Sequence, residues 1–180
     1  MKHRRIITLL LFSFLLIGIF IPAQPAVAVG PEGYRNFDQF YDYDSVATIN
    51  GTWGANLFIG NDENKEFDRI LPKGTQWQIY GYTKRKDGFY YWAGGNQWIQ
   101  GNQAGVRVDN EPDAILNVIA KYGDSNYPDF YWLTDHAINQ YWGADFWRVK
   151  QIGPVSGSFI NQYIVYPDGS AYLLKTTDHY

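Results

Sequence analysis

The chain has 180 residues, 46% hydrophobic, 18% aromatic and 18% charged, with no cysteine and a formal net charge of −3. That length is room for one ordinary domain or two small ones, and seven Trp, fifteen Tyr and eleven Phe exclude the collagen-like and disordered classes, because so much ring surface must be buried or bound. Without cysteine there is no disulfide, zinc–thiolate site, iron–sulfur cluster or cysteine nucleophile, and stability has to come from the core and from sheet hydrogen bonds.

Lys2, Arg4 and Arg5 form a positive end, Ile6 to Ile21 carries no charge, and Ala26-Val27-Ala28 is a small-x-small site. This is the three-part pattern of a secretory signal. The apolar run is shorter than the ~20 residues of a membrane-spanning helix, and Pro22 and Pro25 close it. The expectation is a signal peptide over 1–28, cleaved after Ala28, with the membrane met only transiently. An uncleaved anchor is the alternative. Cleavage removes three of the fifteen bases and none of the eighteen acids, so the formal charge falls from −3 to −6. That argues against a nucleic-acid partner.

Residues 29–45 are rich in Gly, Pro, Asp and Tyr and show no clear period, which predicts a surface segment. Its rings, Tyr34, Phe37, Phe40, Tyr41 and Tyr43, form either an adhesive arm or a stretch packed back on its own domain.

From 46 to 105 the turn signals are dense: Asn50-Gly51, Gly60-Asn61-Asp62, Pro72-Lys73-Gly74, Lys86-Asp87-Gly88 and Gly94-Gly95-Asn96. Between them, Val46–Ile49, Leu57–Ile59, Gln76–Tyr82, Phe89–Trp92 and Gln97–Ile99 read as strands of a small all-β, barrel-like module. Trp77 and Ile79 alternate with Gln76 and Gln78, giving one buried and one wet face. Trp53 and Trp77 therefore read as core residues. Lys84-Arg85-Lys86-Asp87-Gly88 reads as a hairpin tip.

After Val106 the period changes. Glu111-Pro112-Asp113 opens a helix, Ala114, Ile115, Val118, Ile119 and Tyr122 form its apolar stripe, and Gly123 stops it. Phe130–Thr134, Phe146–Ile152, Gln162–Tyr166 and Ala171–Lys175 follow as strands, the last two joined by Pro167-Asp168-Gly169. Residues 106–180 are thus expected to be an α+β module, one helix on an antiparallel meander. The charge changes at the same place, from a net +1 over 46–106 to −4 over 107–180.

The series Leu57-Phe58, Arg69-Ile70-Leu71-Pro72-Lys73-Gly74-Thr75-Gln76-Trp77-Gln78-Ile79-Tyr80-Gly81, Phe89-Tyr90-Tyr91 and Gly94-Gly95-Asn96-Gln97-Trp98-Ile99-Gln100 resembles the surface-layer-protein attachment (SLAP) domain of lactobacilli. The likeness covers about residues 46–100, and the Asn-Gln-Trp ending is its most specific piece. It implies a secreted, cell-wall-associated protein that binds a wall polymer, teichoic acid or another wall glycopolymer, without a covalent bond. This copy is single and near neutral, whereas family modules are basic and often paired, which suits anionic polymers. Over about 110–175, Lys121-Tyr122-Gly123-Asp124 and Tyr163-Ile164-Val165-Tyr166-Pro167-Asp168-Gly169 are similar to small PepSY-like modules. That likeness implies a possible protein partner and no chemistry.

Lys84, Arg85 and Lys86 are candidates for contacting polymer phosphates; the alternative is a solvated turn whose charge keeps an edge strand from pairing. Trp92 and Trp98 flank Gly94-Gly95-Asn96-Gln97 and are candidates for stacking on a sugar, with the Asn96 and Gln97 carboxamides supplying hydrogen bonds. The alternative buries both indoles in a small core. Asp62, Asn64, Glu66 and Asp68 have the odd spacing of a calcium loop but Phe67 stands where the turn residue belongs, so a polar hairpin loop is expected. Asn50-Gly51-Thr52 is a glycosylation acceptor only in a eukaryotic secretory pathway.

Catalysis has little to stand on. After cleavage only His136 and His179 remain, and no nucleophile elbow surrounds Ser156 or Ser158 to complete a set with His136 and Asp135. Nothing selects a carboxylate pair from the eighteen acids. The expectation is a non-enzymatic binding protein without metal or cofactor. A secreted wall-lytic enzyme and an inhibitor of a secreted protease are the alternatives.

Overall fold

The computed structural model describes residues 31, 36–123, 130–139, 143–153 and 159–176. The expected signal peptide, Tyr34, Asp124, Ser156, Ser158 and His179 lie outside the described residues.

Two antiparallel sheets enclose one helix. The first sheet holds β1 (Phe40–Ile49), β2 (Ala55–Ile59), β3 (Glu66–Leu71), β4 (Gln76–Arg85), β5 (Gly88–Trp92), β6 (Gln97–Gln100) and β7 (Ala104–Val106), in the spatial order β3-β2-β6-β5-β4-β1-β7. Among the described residues no ladder joins its two edges, β3 and β7. After a 3-10 turn (Gly101–Gln103), β7 and the helix α1 (Glu111–Tyr122) come β8 (Tyr131–Asn139), β9 (Ala144–Ile152), β10 (Phe159–Val165) and β11 (Ala171–Thr176), a four-stranded meander.

Local chemistry sets the turns. Arg85 pairs with Gly88 across a two-residue Lys86-Asp87 turn, and Gly88 has φ +151°, which a side chain would oppose. In the Pro167-Asp168-Gly169 turn the Tyr166 N–H donates to Ser170 O at 3.0 Å and the Gly169 N–H to Tyr166 O at 2.9 Å. The helix starts at Asn110, whose Oδ1 accepts from the Asp113 N–H at 3.0 Å, the cap that short polar side chains supply. It ends where the Gly123 N–H donates to Ile119 O at 2.9 Å.

The helix differs from the sequence expectation. A single apolar stripe was expected, yet every residue from Asp113 to Ala120 is buried. A helix buried all round lies between layers, and here it packs on β5 and β7 of one sheet and on β9, β10 and β11 of the other. One buried cluster accordingly runs from Ala47, Leu57 and Tyr91 through Ile115, Leu116 and Val118 to Val149 and Ala171. At about 1.5–3 kcal/mol for each large aliphatic side chain, the helix contributes more than the surface ion pairs, which are worth about 0–1 kcal/mol each.

A polar side chain in the middle of that layer finds backbone partners. Asn117 is buried; its carboxamide accepts from the Val106 N–H and donates to Val106 O, both at 2.8 Å, and donates to Asp113 O at 2.9 Å. The side chain thereby pairs with the outer edge of β7 as a further strand would.

Other expectations are corrected. The first strand begins at Phe40 instead of Val46, because Phe40 and Tyr41 already pair with Thr83 and Tyr82. The β3 strand was missed: five of its six residues are exposed, so it carries no one-sided pattern. Trp53 is 89% exposed, at the outside of a tight turn, and Trp77 lies half-buried at the core margin, with its indole N–H donating to Thr75 Oγ1 at 3.1 Å.

Candidate functional site

The β5–β6 hairpin carries the two candidate indoles. Trp92 and Trp98 are cross-strand partners, and Ala93 to Asn96 close the turn, with Gly94 at φ +95° and Gly95 at φ +56°. The Trp92 indole N–H donates to Gly95 O at 2.9 Å, so the ring is fixed by its own turn. Asn96 is exposed and Gln97 half-buried. The Asn96 carbonyl accepts from the Gly60 N–H at 2.9 Å, which ties the turn to β2.

The indoles are half-buried, not core, and two further rings join them. Phe40 stands edge-on to Trp92 at 5.6 Å and to Trp98 at 6.1 Å between centroids, and Tyr80 lies 5.7 Å from Trp92. Phe40 reaches this position because Gly81 has no side chain: a Cβ there would collide with the Phe40 ring and sit 2.7 Å from Tyr41 O. Phe40 is 46% and Tyr80 45% exposed. Four rings held by strands and by one another make a partly exposed aromatic surface, a composition suited to the faces of a sugar.

The basic triplet takes a different form. Lys84, Arg85 and Lys86 reach the hairpin tip, but the Arg85 guanidinium donates to Asp38 Oδ1 at 2.8 Å and Asn61 Oδ1 at 2.7 Å. The Lys84 ammonium lies 4.4 Å from the centre of the Phe37 ring. A cleft of about 490 Å³ beside the tip is lined by Asp38, Asp62, Glu63 and Asp87 as well as by Lys65, Arg85 and Lys86. Lys65 pairs with Asp87, and Tyr90 OH donates to the same carboxylate at 3.0 Å. Burial pushes the Asp87 carboxyl up, but Lys65 and Tyr90 outweigh it and hold it below the usual range; donation to Asp87 raises the Lys65 ammonium in turn. Compensated charge of this kind is a weaker anion site than three free cations would be.

The remaining candidates scatter. His136 pairs with Asp145 and stacks on Trp147 at 4.6 Å, whereas Asp135 accepts from Arg148 Nε at 2.6 Å, so no described group joins His136 to Asp135 for catalysis. Asp62 bonds the Asn64 N–H at 2.9 Å within its turn, and Glu66 and Asp68 belong to exposed β3. Among the described residues no group of three His, Asp or Glu is placed to hold a metal.

No family model, curated protein or solved structure matches the chain.

Sequence reasoning named Trp92, Asn96, Gln97 and Trp98 but missed Phe40 and Tyr80. The available signal was Gly81, a glycine inside a strand pattern, which marks close approach of another group.

Proposed function

We propose that the chain is an exported cell-surface protein that attaches to the Gram-positive wall by binding a wall glycopolymer through the first sheet. The observation that carries this reading is the cluster of Phe40, Tyr80, Trp92 and Trp98, whose rings are exposed or half-exposed together. Rigid rings that stay partly in water offer binding area at little conformational cost, because the strands have already fixed them. Asn96 and Gln97 supply the polar contacts, and the tip of Lys84, Arg85 and Lys86 adds long-range attraction for an anionic polymer. The likeness to surface-layer attachment modules and the secretory pattern of residues 1–28 support the same location. The first sheet curls toward a barrel in this reading, and the second, PepSY-like half contributes a protein partner's site.

Sedimentation of residues 29–180, which include every described residue, with isolated Gram-positive walls tests it. The chain is expected in the pellet with walls and in the supernatant without them. Failure to sediment with walls from several species would overturn the proposal.

A further inference from the structure

Trp53 is the most exposed large apolar side chain among the described residues, at 89%, and it stands on a rigid turn. The Asn50 and Gly51 N–H groups donate to Gln103 O at 3.1 and 2.9 Å, and the Gly54 N–H to Gly51 O at 3.2 Å. The Gln103 side-chain oxygen accepts from the Asn56 N–H at 2.7 Å. Gly54 has φ +103°, and a Cβ on Gly51 or Gly54 would collide with a backbone carbonyl. The backbone is thus locked on both sides of an indole that touches no other ring among the described residues.

Beside it lies a cleft of about 320 Å³ lined by Asn50, Thr52, Trp53, Asn102, Gln103 and Lys121, with no carboxylate in the lining. The Lys121 ammonium donates to Ala171 O at 2.7 Å and lies 5.4 and 5.0 Å from the centres of the Tyr122 and Tyr172 rings; with three N–H groups it can donate to a ligand as well. Burial lowers the pKa of this ammonium, so its field is less screened than that of a surface lysine. Asn50 follows the end of β1 opposite to Phe40, roughly 30 Å away at the rise of an extended strand, so this cleft and the four-ring surface are different places.

We propose that Trp53 and this cleft form a second binding site, for a sugar ring bearing an anionic group. The apolar face of the ring stacks on the indole. The carboxamides of Asn50, Asn102 and Gln103 and the Thr52 hydroxyl bond its hydroxyls, and the Lys121 ammonium takes the carboxylate or phosphate. A lipid interface fits less well, because a single indole beside amide groups offers no continuous apolar face. The inference extends the glycan reading but does not depend on the first surface, since it is tested with small soluble sugars.

Isothermal titration of residues 29–180 decides it, using a hyaluronan tetrasaccharide for the carboxylate, glucose 6-phosphate for the phosphate, chitotetraose as the neutral control, and vesicles of phosphatidylcholine and phosphatidylglycerol in equal parts. At least one anionic sugar is expected to bind more tightly than chitotetraose. Trp53→Ala should weaken it about tenfold or more and Asn102→Ala about threefold to tenfold, in the manner of anchor and rim positions. Ile138→Ala, an exposed position on β8 that belongs to neither surface, should leave it within about twofold, and Lys121→Met should remove the preference for the anionic sugar. If Lys121→Met fails to fold because Ala171 O keeps only the Tyr122 hydroxyl as donor, the Trp53 and Asn102 variants carry the test alone. Absence of anionic sugar binding, equal affinity for chitotetraose, unchanged affinity in Trp53→Ala, or binding to the vesicles alone would overturn the proposal. Wall sedimentation that fails while this titration succeeds would refute the wall reading and leave the Trp53 site standing.

Discussion

Gly105 of β7 and Gly169 of the β10–β11 turn meet backbone to backbone: a Cβ on Gly105 would lie 2.5 Å from Gly169 O. Next to them the Val108 N–H donates to Pro167 O at 3.0 Å. The two sheets are therefore joined directly at this point as well as through the helix between them.

That contact makes Gly105→Ala a steric test, because Gly105 has an ordinary φ. It should cost about 2–3 kcal/mol, as overpacking does in a close-packed contact. Gly74→Ala, at φ +84° with nothing near the added Cβ, should cost only about 1–2 kcal/mol of backbone strain. Urea denaturation followed by far-ultraviolet circular dichroism gives both values. A Gly105 variant as stable as the parent would show that the sheets do not press on each other here.

Asn117 gives a second prediction. Asn117→Leu keeps similar bulk but leaves the Val106 N–H and C=O without the partners it supplies. Each buried group left unpaired costs about 1–3 kcal/mol, so a loss of about 3 kcal/mol is expected in the same denaturation experiment. A neutral result would mean that water replaces the carboxamide.

Much of this fold was legible in the chain. Pro112 with the neighbouring acids and Gly123 marked both ends of the helix, and Pro167-Asp168-Gly169 marked the last turn, because each follows from local backbone chemistry. The second buried face of the helix was not legible. Leu116 and Ala120 fill it, but Asn117 lies among them and disguises it as a polar side, and only the Val106 edge explains an amide there. Strand β3 escaped for the opposite reason, since Phe67 and Ile70 are 57% and 54% exposed and show no inward face. In the candidate site, Trp92 and Trp98 announced themselves through the glycine turn between them. Phe40 lies far away in sequence and reaches them only across β4, over Gly81.

Two tyrosines should respond oppositely to loss of the hydroxyl. Tyr43 OH donates to Asp113 Oδ1 at 2.6 Å, whereas the buried Tyr91 OH has no hydrogen-bond partner among the described residues. Tyr43→Phe should lose about 1–2 kcal/mol, and Tyr91→Phe should be neutral or gain about 1 kcal/mol by removing an unpaired group. Thermal unfolding of the two variants reads the difference, and equal effects would contradict this assignment of partners.

Alkali should unfold the protein through its phenols. Burial raises the pKa values of Tyr43 and Tyr91 well beyond the ordinary value, and burial together with Tyr122 pushes Tyr163 up to about 12. The unfolded chain gives up these protons near pH 10, so their contribution is complete below about pH 10 and is lost as pH rises, by about 1.4 kcal/mol per group per pH unit. Phenolate absorbance should therefore rise cooperatively, together with loss of circular dichroism, between about pH 10 and 12. A smooth titration of all tyrosines without unfolding would contradict it.

The binding claim rests on rings more than on charge, and wall sedimentation of three forms of residues 29–180 separates the two most directly: the parent, Trp92→Ala with Trp98→Ala, and Lys84→Ala with Arg85→Ala and Lys86→Ala, each in a salt series. The account predicts that the indole variant loses about tenfold or more in affinity, as buried anchors do. The triple variant should lose about threefold or less, with modest sensitivity to salt. Full binding by the indole variant, with binding abolished by the triple change, would contradict it and assign attachment to the charged tip.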